Sequence, residues 1–278
     1  MSASTPTLAG WLRNFDDDAE KARVLEIGKL TGLKEEGGRY FPANFERALL
    51  LREIIRRRKT KRVLELGTGR GLGILAMADQ LQALRSAAEL VSVDMIAPAS
   101  RQKWPICLDG YYSSEARSVD EVWDTHFSEL RARITLHTGT TTAVLPVLFK
   151  EGRKFDFIFV DAGHDVYSVF HDFAYSCLLL AADGEILMDD FAPTEPFGLG
   201  TCIVAAHAAK VFAQVEVIES NGLVFEDDYS GFTRGMVHLA GLKPGTLELD
   251  SVSLLAARVL GKAVEGLFHP KLLPVRLS

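Results

Sequence analysis

With 278 residues, 47% of them hydrophobic, the chain can bury the core of one large domain. Its 31 Lys and Arg residues against 37 Asp and Glu residues give a net charge of −6, which disfavours general binding to nucleic-acid phosphates. Three widely spaced cysteines predict a reducing compartment without a disulfide framework. Because we find neither a secretory-type start nor an apolar run of spanning length, we expect a cytoplasmic protein with no membrane span.

The first elements of the chain are predicted to be helical. Residues 1–40 are expected to form an N-terminal helical extension of a domain over residues 41–240. A helix is expected to follow Asn44, a candidate N-cap, because apolar residues such as Phe45 and Ile54 recur at helical spacing. We expect this helix to pack beside the first strand of the sheet.

A glycine-dense turn follows the first predicted strand, Arg62–Leu66, and leads into a helix predicted over 72–87. Glycines occupy every second position from Gly67 to Gly73. Such a turn brings backbone N–H groups close to a ligand, because no Cβ blocks the approach. The dinucleotide fingerprint needs its third glycine where Leu72 stands, so the spacing disfavours an NAD-dependent dehydrogenase.

The second predicted strand, 90–93, ends in Asp94. A carboxylate at this point can accept hydrogen bonds from a ribose diol, whereas the alternative is a solvated acid at a strand end. The segment 95–118 then exceeds an ordinary connection between a strand and a helix. It is either a lid or substrate wall beside the ligand crevice or an inert surface excursion.

The later elements continue the alternation of apolar strands with helices, which predicts an α/β fold with a doubly wound parallel sheet. The remaining strands are predicted over 133–137, 155–160, 185–188, 215–219 and 232–239, with a helix over 198–214. Residues 241–278 carry an amphipathic stripe from Val252 to Phe268 and are expected to form a C-terminal helical extension that packs on the domain or on a partner subunit.

Three carboxylates follow the fourth and fifth predicted strands: Asp161, Asp189 and Asp190. Because the carboxyl ends of adjacent parallel strands meet at one edge, we expect these acids to lie together. Their mutual repulsion would be relieved by a divalent cation, and oxygen ligands suit Mg²⁺, or Ca²⁺ or Mn²⁺. The alternative is that Asp161 faces the site while the Asp189–Asp190 pair caps a loop or helix.

The pattern acid-x-Gly-x-Gly-x-Gly from Glu65 to Gly71 resembles motif I of the class I S-adenosylmethionine (SAM)-dependent methyltransferases. The string around Asp161, together with Asp189-Asp190-Phe191, resembles the metal-dependent small-molecule O-methyltransferases. This group includes catechol-type enzymes, sugar and antibiotic O-methyltransferases and cephalosporin hydroxylase-like relatives. The resemblance implies a Rossmann-like seven-stranded sheet with a C-terminal antiparallel strand over about residues 40–240.

The resemblance also implies roles for residues of this chain. Asp161, Asp189 and Asp190 match the metal ligands. Catechol-type enzymes often carry Lys where His164 stands, so His164 is the candidate base and Asp161 lies between cofactor and metal. An alternative role for His164 is a structural residue at a helix start; Asp165 is expected to be the N-cap there. The residues expected to bind SAM are Glu65, Gly67, Thr68, Gly69, Gly71, Asp94, Gly139, Thr140 and Asp161.

The function predicted is methyl transfer from SAM to a hydroxyl group of a small molecule such as a sugar, a natural product or a catechol. An N-methyltransferase acting on a protein or nucleic acid and a non-catalytic SAM-binding subunit stay as alternatives. The string from Asp161 to His164 differs from the Asp/Asn-Pro-Pro-Tyr/Phe string of amino-group enzymes, and the Asp189–Asp190 pair disfavours a polyamine synthase. Homo-oligomerisation through the N- or C-terminal helices is also expected.

Overall fold

The computed structural model describes residues 8–12, 18–220 and 234–244. The helices surround a central sheet and are α1 Leu8–Leu12, α2 Asp18–Thr31, α3 Phe45–Arg58, α4 Leu72–Ala83, α5 Val119–His126, α6 Ser128–Arg131, α7 Thr141–Lys150, α8 Val166–Leu179 and α9 Leu199–Ala208, the last preceded by a 3₁₀ turn at Pro196–Gly198. The strands are β1 Leu33–Glu36, β2 Arg39–Pro42, β3 Arg62–Leu66, β4 Glu89–Asp94, β5 Gln102–Leu108, β6 Tyr111–Arg117, β7 Ile134–Thr138, β8 Phe155–Val160, β9 Leu180–Phe191, β10 Phe212–Ser220 and β11 Arg234–Leu242.

The central sheet has, within the described ranges, seven strands in the order β10-β11-β9-β8-β3-β4-β7. The pairs from β9 to β7 are parallel, whereas β11 runs antiparallel to both β9 and β10. Leu66 pairs with Val93 on one side and with Val160 on the other, so β3, β4 and β8 end at the same level. The predicted Rossmann-like sheet with its antiparallel C-terminal strand is confirmed.

The core lies on both faces of this sheet, since the central strands are apolar along their length. Val63, Leu64 and Leu66 of β3 are each 0% exposed, and so is the run from Phe157 to Phe159 in β8. Strands covered on both faces need such continuous apolar sequence. The helices therefore hold the carboxyl ends of the parallel strands in fixed positions.

Several predicted boundaries are wrong. Helix α4 ends at Ala83 rather than near residue 87, because Arg85 adopts a left-handed φ of 50° that a helix cannot continue. The helix predicted over 198–214 ends at Ala208, and Phe212 already belongs to β10. Strand β9 begins at Leu180, so Gly184 lies inside a strand rather than between a helix and a strand. Apolar runs at these points fit either type of element.

The N-terminal part is not purely helical, because β1 and β2 form a hairpin between α2 and α3. Asn44 holds the predicted N-cap position of α3, but it has a left-handed φ of 64° and makes no side-chain capping hydrogen bond. Residues 221–233 and 245–278 lie outside the described residues, and with them the predicted C-terminal helix. Within the described ranges, the helices are too short or too polar to cross a bilayer.

The long segment 95–118 forms an antiparallel hairpin, β5–β6, that packs against α2. Trp104 is fully buried in this contact, and its indole N–H donates to the carbonyl of Leu30 at 2.6 Å. Met95 and Ile96, which precede the hairpin, line the cavity described below. Among the residues of this segment, Met95 and Ile96 are therefore the ones that line this cavity, and a lid or wall role stays a prediction.

Candidate active site

The glycine turn between β3 and α4 touches the end of β8. Gly67 has φ +93°, and a Cβ there would lie 2.0 Å from the carbonyl oxygen of Asp161. Gly71 has φ +100°, and a Cβ there would lie 2.0 Å from the Trp123 ring. Trp123 also donates its indole N–H to the carbonyl of Arg70 at 3.1 Å. Trp123, which is fully buried, thus supports the turn directly.

A cavity of about 520 Å³ opens beside this turn at the carboxyl ends of the strands. Its volume falls in the range of small-molecule sites. The lining includes all nine residues predicted to bind the cofactor: Glu65, Gly67, Thr68, Gly69, Gly71, Asp94, Gly139, Thr140 and Asp161. It also includes Thr31, Gly32 and Lys34, which the sequence assigned to the extension over residues 1–40, and Arg47 from the first turn of α3.

Asp94, at the end of β4, accepts hydrogen bonds from the two loops that follow β3 and β4. Its Oδ2 accepts the N–H of Gly69 at 2.7 Å, and its Oδ1 accepts the N–H of Ile96 at 2.7 Å. Each carboxylate oxygen has a second lone-pair direction. Asp94 can therefore orient the glycine turn and still accept hydrogen bonds from a diol in the cavity.

Glu65 lies beneath the start of α4 and is 1% exposed. Its Oε2 accepts the hydroxyl of Ser92 at 2.5 Å, and Ser92 lies 2.7 Å from the hydroxyl of Thr68. Burial, together with the charges of Asp161 and Asp94, raises the pKa of Glu65 to about 8 despite the Ser92 hydrogen bond. A cation in the cavity would favour the carboxylate form. The ammonium and sulfonium groups of SAM fit this requirement.

Asp161, His164 and Asp190 form an acidic cluster beside the cavity. Each offers one ligand atom, and these atoms lie within 4.8 Å of one another. His164 Nε2 is 2.7 Å from Asp190 Oδ2. Asp190 has a left-handed φ of 60°, an uncommon conformation that non-glycine residues keep at constrained sites. Two carboxylates and an imidazole form a donor set that suits a divalent cation.

The cluster changes the protonation behaviour of its members. Burial raises the pKa of Asp161 to about 6, with Arg47 acting against this shift and Asp190 adding to it. The hydrogen bond to Asp190 raises the pKa of His164 above its usual range. His164 is about half exposed, with 54% of its side chain accessible, so it can exchange protons with solvent.

The sequence predicted Asp189 as a third acidic metal ligand, but Asp189 lies outside the cluster of Asp161, His164 and Asp190. Its Oδ2 contacts the Nη1 of Arg47, which also lies 2.8 Å from Asp161 Oδ2. The Arg47 guanidinium is 5.4 Å from the centre of the Phe159 ring. The positive charge of the Arg47 guanidinium thus offsets the repulsion between Asp161 and Asp189. Sequence analysis missed Arg47, and its one signal was a basic residue among the apolar positions that begin α3.

The loop between β8 and α8 has the structure predicted for it. Asp165 caps α8: its side chain accepts the N–H of Ser168 at 3.0 Å and the Ser168 hydroxyl at 2.6 Å. The predicted capping role of Asp165 is confirmed.

The sheet order, the glycine turn after the central strand and the acids at the neighbouring strand ends define the class I SAM-dependent methyltransferase fold. A family described as a methyltransferase domain matches residues 64–191 of the chain. The O-methyltransferase hkm8 of Aspergillus hancockii is 30% identical over 134 residues, which are 48% of this chain and 43% of that protein. The chain thus spans less than half the length of this curated relative.

Solved structures show the same fold. The O-methyltransferase from Bacillus cereus, in complex with SAH, has a TM-score of 0.51 at 14% identity over 84% of this chain and 98% of its own. The O-methyltransferase TomG from Streptomyces achromogenes, involved in tomaymycin synthesis and in complex with SAM, has a TM-score of 0.50 at 18% identity over 81% of this chain and 91% of its own. The resemblance to class I methyltransferases is confirmed.

Proposed function

We propose that the chain transfers the methyl group of SAM to a hydroxyl group of a small molecule, assisted by a divalent cation. One observation carries this proposal: Asp161 lines the cavity of the glycine turn and also belongs to the cluster with His164 and Asp190. A methyl donor in that cavity and a proton acceptor in the cluster are therefore neighbours. That juxtaposition is what O-methyl transfer requires.

The residues of the cavity would hold SAM by charge and hydrogen bonding. The buried carboxyl of Glu65 favours the positive methionine end, and Asp94 offers acceptor oxygens to the ribose. Residues Gly139 and Thr140, which line the same cavity, would border the adenine. When bound, SAM supplies a methyl group on a reactive sulfonium. The protein's own contribution is mainly positioning.

His164 would take the proton of the acceptor hydroxyl. Its Nε2 is occupied by Asp190, which leaves Nδ1 to accept a proton. Asp190 orients the ring and stabilises its charged form, as the raised pKa of His164 indicates. In this proposal the base is His164, the residue that the sequence also predicted.

Asp161 and Asp190 would hold the divalent cation. Mg²⁺ commonly binds proteins through one or two carboxylates and completes its shell with water or substrate oxygens. Such an ion lowers the pKa of a hydroxyl that it contacts. Asp189 is left out of this proposed set because it lies outside the cluster of Asp161, His164 and Asp190 and its Oδ2 contacts Arg47.

Calorimetric titration with SAM, with and without Mg²⁺, tests the proposal. We expect SAM binding in both conditions, and chelator-sensitive turnover with hydroxyl acceptors such as catechols. The matched variants are Asp190→Asn, which should lose activity, and Asp156→Asn at the opposite end of β8, which should keep it. Absence of SAM binding would refute methyl transfer, whereas turnover unaffected by EDTA would refute the cation. A cytoplasmic location and homo-oligomerisation stay predictions.

A further inference from the structure

Arg47 occupies an unusual position for a buried arginine. The residue is 9% exposed, and its Nε has no hydrogen-bond partner among the described residues. A buried donor without a partner is costly, so some other interaction must stabilise this side chain. Its Nη1 contacts carboxylates from two adjacent strands, Asp161 after β8 and Asp189 at the end of β9. The guanidinium therefore lies where a cation shared by these two acids would lie.

We infer that Arg47 is a positioning residue that sets how tightly the chain binds a divalent cation. This inference rests on the cation site of the proposed function. Arg47 removes Asp189 from the ligand set and holds one oxygen of Asp161. The site then keeps two acids, Asp161 and Asp190, for an added ion. Without Arg47, the three acids would be available together, and their repulsion would be relieved by metal alone.

Charge and geometry both predict tighter cation binding when Arg47 is removed. Both Asp161 Oδ2 and Asp189 Oδ2 contact the same nitrogen, so a single ion at that point could reach both oxygens. A fixed positive charge there repels a divalent cation bound to Asp161 at short range. Removing the charge eliminates that repulsion and adds a carboxylate ligand. Both effects act in the same direction, toward tighter binding.

The test measures binding of Mn²⁺ and Mg²⁺ to the full chain by calorimetry, without SAM. We expect Arg47→Met to bind Mn²⁺ about tenfold tighter or more than the unaltered chain. Adding Asp189→Asn to Arg47→Met should remove most of this gain. By contrast, Asp189→Asn in the unaltered chain should change the affinity less than about threefold, because Arg47 already excludes Asp189.

Arg52 provides the matched control. It lies on the same helix, is 2% exposed and is also held by two acids, Glu20 and Asp79. Arg52→Met should destabilise the fold as Arg47→Met does but leave the Mn²⁺ affinity unchanged. If Arg47→Met does not fold, Arg47→Gln removes the charge with a smaller loss of packing. Folding is checked by circular dichroism in each case.

The outcomes separate this inference from the proposed function. Unchanged or weaker Mn²⁺ binding by the Arg47 variants would overturn the inference, and so would the absence of binding in every form. Binding by Arg47→Met but not by the unaltered chain would support the inference and contradict cation-assisted transfer. An equal gain in Arg52→Met would assign the effect to general loosening of α3 and overturn the role of Arg47.

Discussion

Replacing Glu65 by glutamine should make the ligand-free protein more stable at alkaline pH. Glu65 is 1% exposed, and its pKa is raised from 4.5 to about 8. The folded state therefore keeps a proton on Glu65 between these values, whereas the unfolded chain releases it. The stability that this proton provides is complete below the unfolded pKa and is lost as pH rises through the folded pKa. A glutamine amide at this position would carry no charge at any of these pH values.

The size of the effect follows from the two pKa values. The interval from 4.5 to about 8 corresponds to roughly 5 kcal/mol of free energy at about 1.4 kcal/mol per pKa unit. Between pH 5 and pH 8, the unaltered chain should lose roughly 3–4 kcal/mol relative to Glu65→Gln. For a chain of this size, that is a difference in melting temperature of roughly 10 °C.

Urea and thermal unfolding from pH 5 to pH 8, without ligand, would measure this difference. Glu121→Gln is the control: the backbone N–H of Ser118 lowers the pKa of Glu121, and Arg101, which it contacts, keeps its charge throughout this range. The effect of that control should be constant over the same pH range. A stability difference for Glu65→Gln that does not grow with pH would refute the assignment of a buried neutral carboxyl.

Three further outcomes are expected. At pH 7, SAM binding should release close to one proton, seen as a dependence of the calorimetric enthalpy on buffer, and Glu65→Gln should abolish this release; equal enthalpies in all buffers would contradict it. Gly71→Ala should destabilise the fold by at least about 1 kcal/mol and weaken SAM binding, because a Cβ meets the Trp123 ring; unchanged melting temperature and affinity would contradict the geometry. His164→Asn should lower turnover by about 10²–10⁴-fold and remove the rise of kcat with pH that deprotonation of His164 produces; a preserved pH profile would exclude it as the base.

The fold and the cofactor cavity could be predicted from the sequence because their signals are local. The strand Arg62–Leu66 has the bounds predicted, since an apolar run ends in a glycine turn. The predicted SAM-binding residues line one cavity because parallel strands end at one edge. The predicted ends of α4 and α9 are wrong because local turn geometry, and not hydrophobic periodicity, determines where these helices end.

The charge arrangement of the site could not be predicted in the same way. Arg47 and Asp189 are 142 residues apart, and their contact depends on how α3 packs across the sheet. The sequence predicted that acids at neighbouring strand ends repel one another, but sequence spacing does not reveal which positive charge offsets the repulsion. The support of Gly71 by Trp123 is likewise a tertiary contact between distant elements.

The hairpin β5–β6 has a consequence for engineering this protein. Trp104 ties the hairpin to the carbonyl of Leu30, and the next residues along the chain, Thr31 and Gly32, line the cavity. Substitutions in the hairpin can thus shift one wall of the cavity without contacting any bound molecule. A library confined to the hairpin could therefore change the shape of the cavity from outside while leaving the glycine turn and the acids intact.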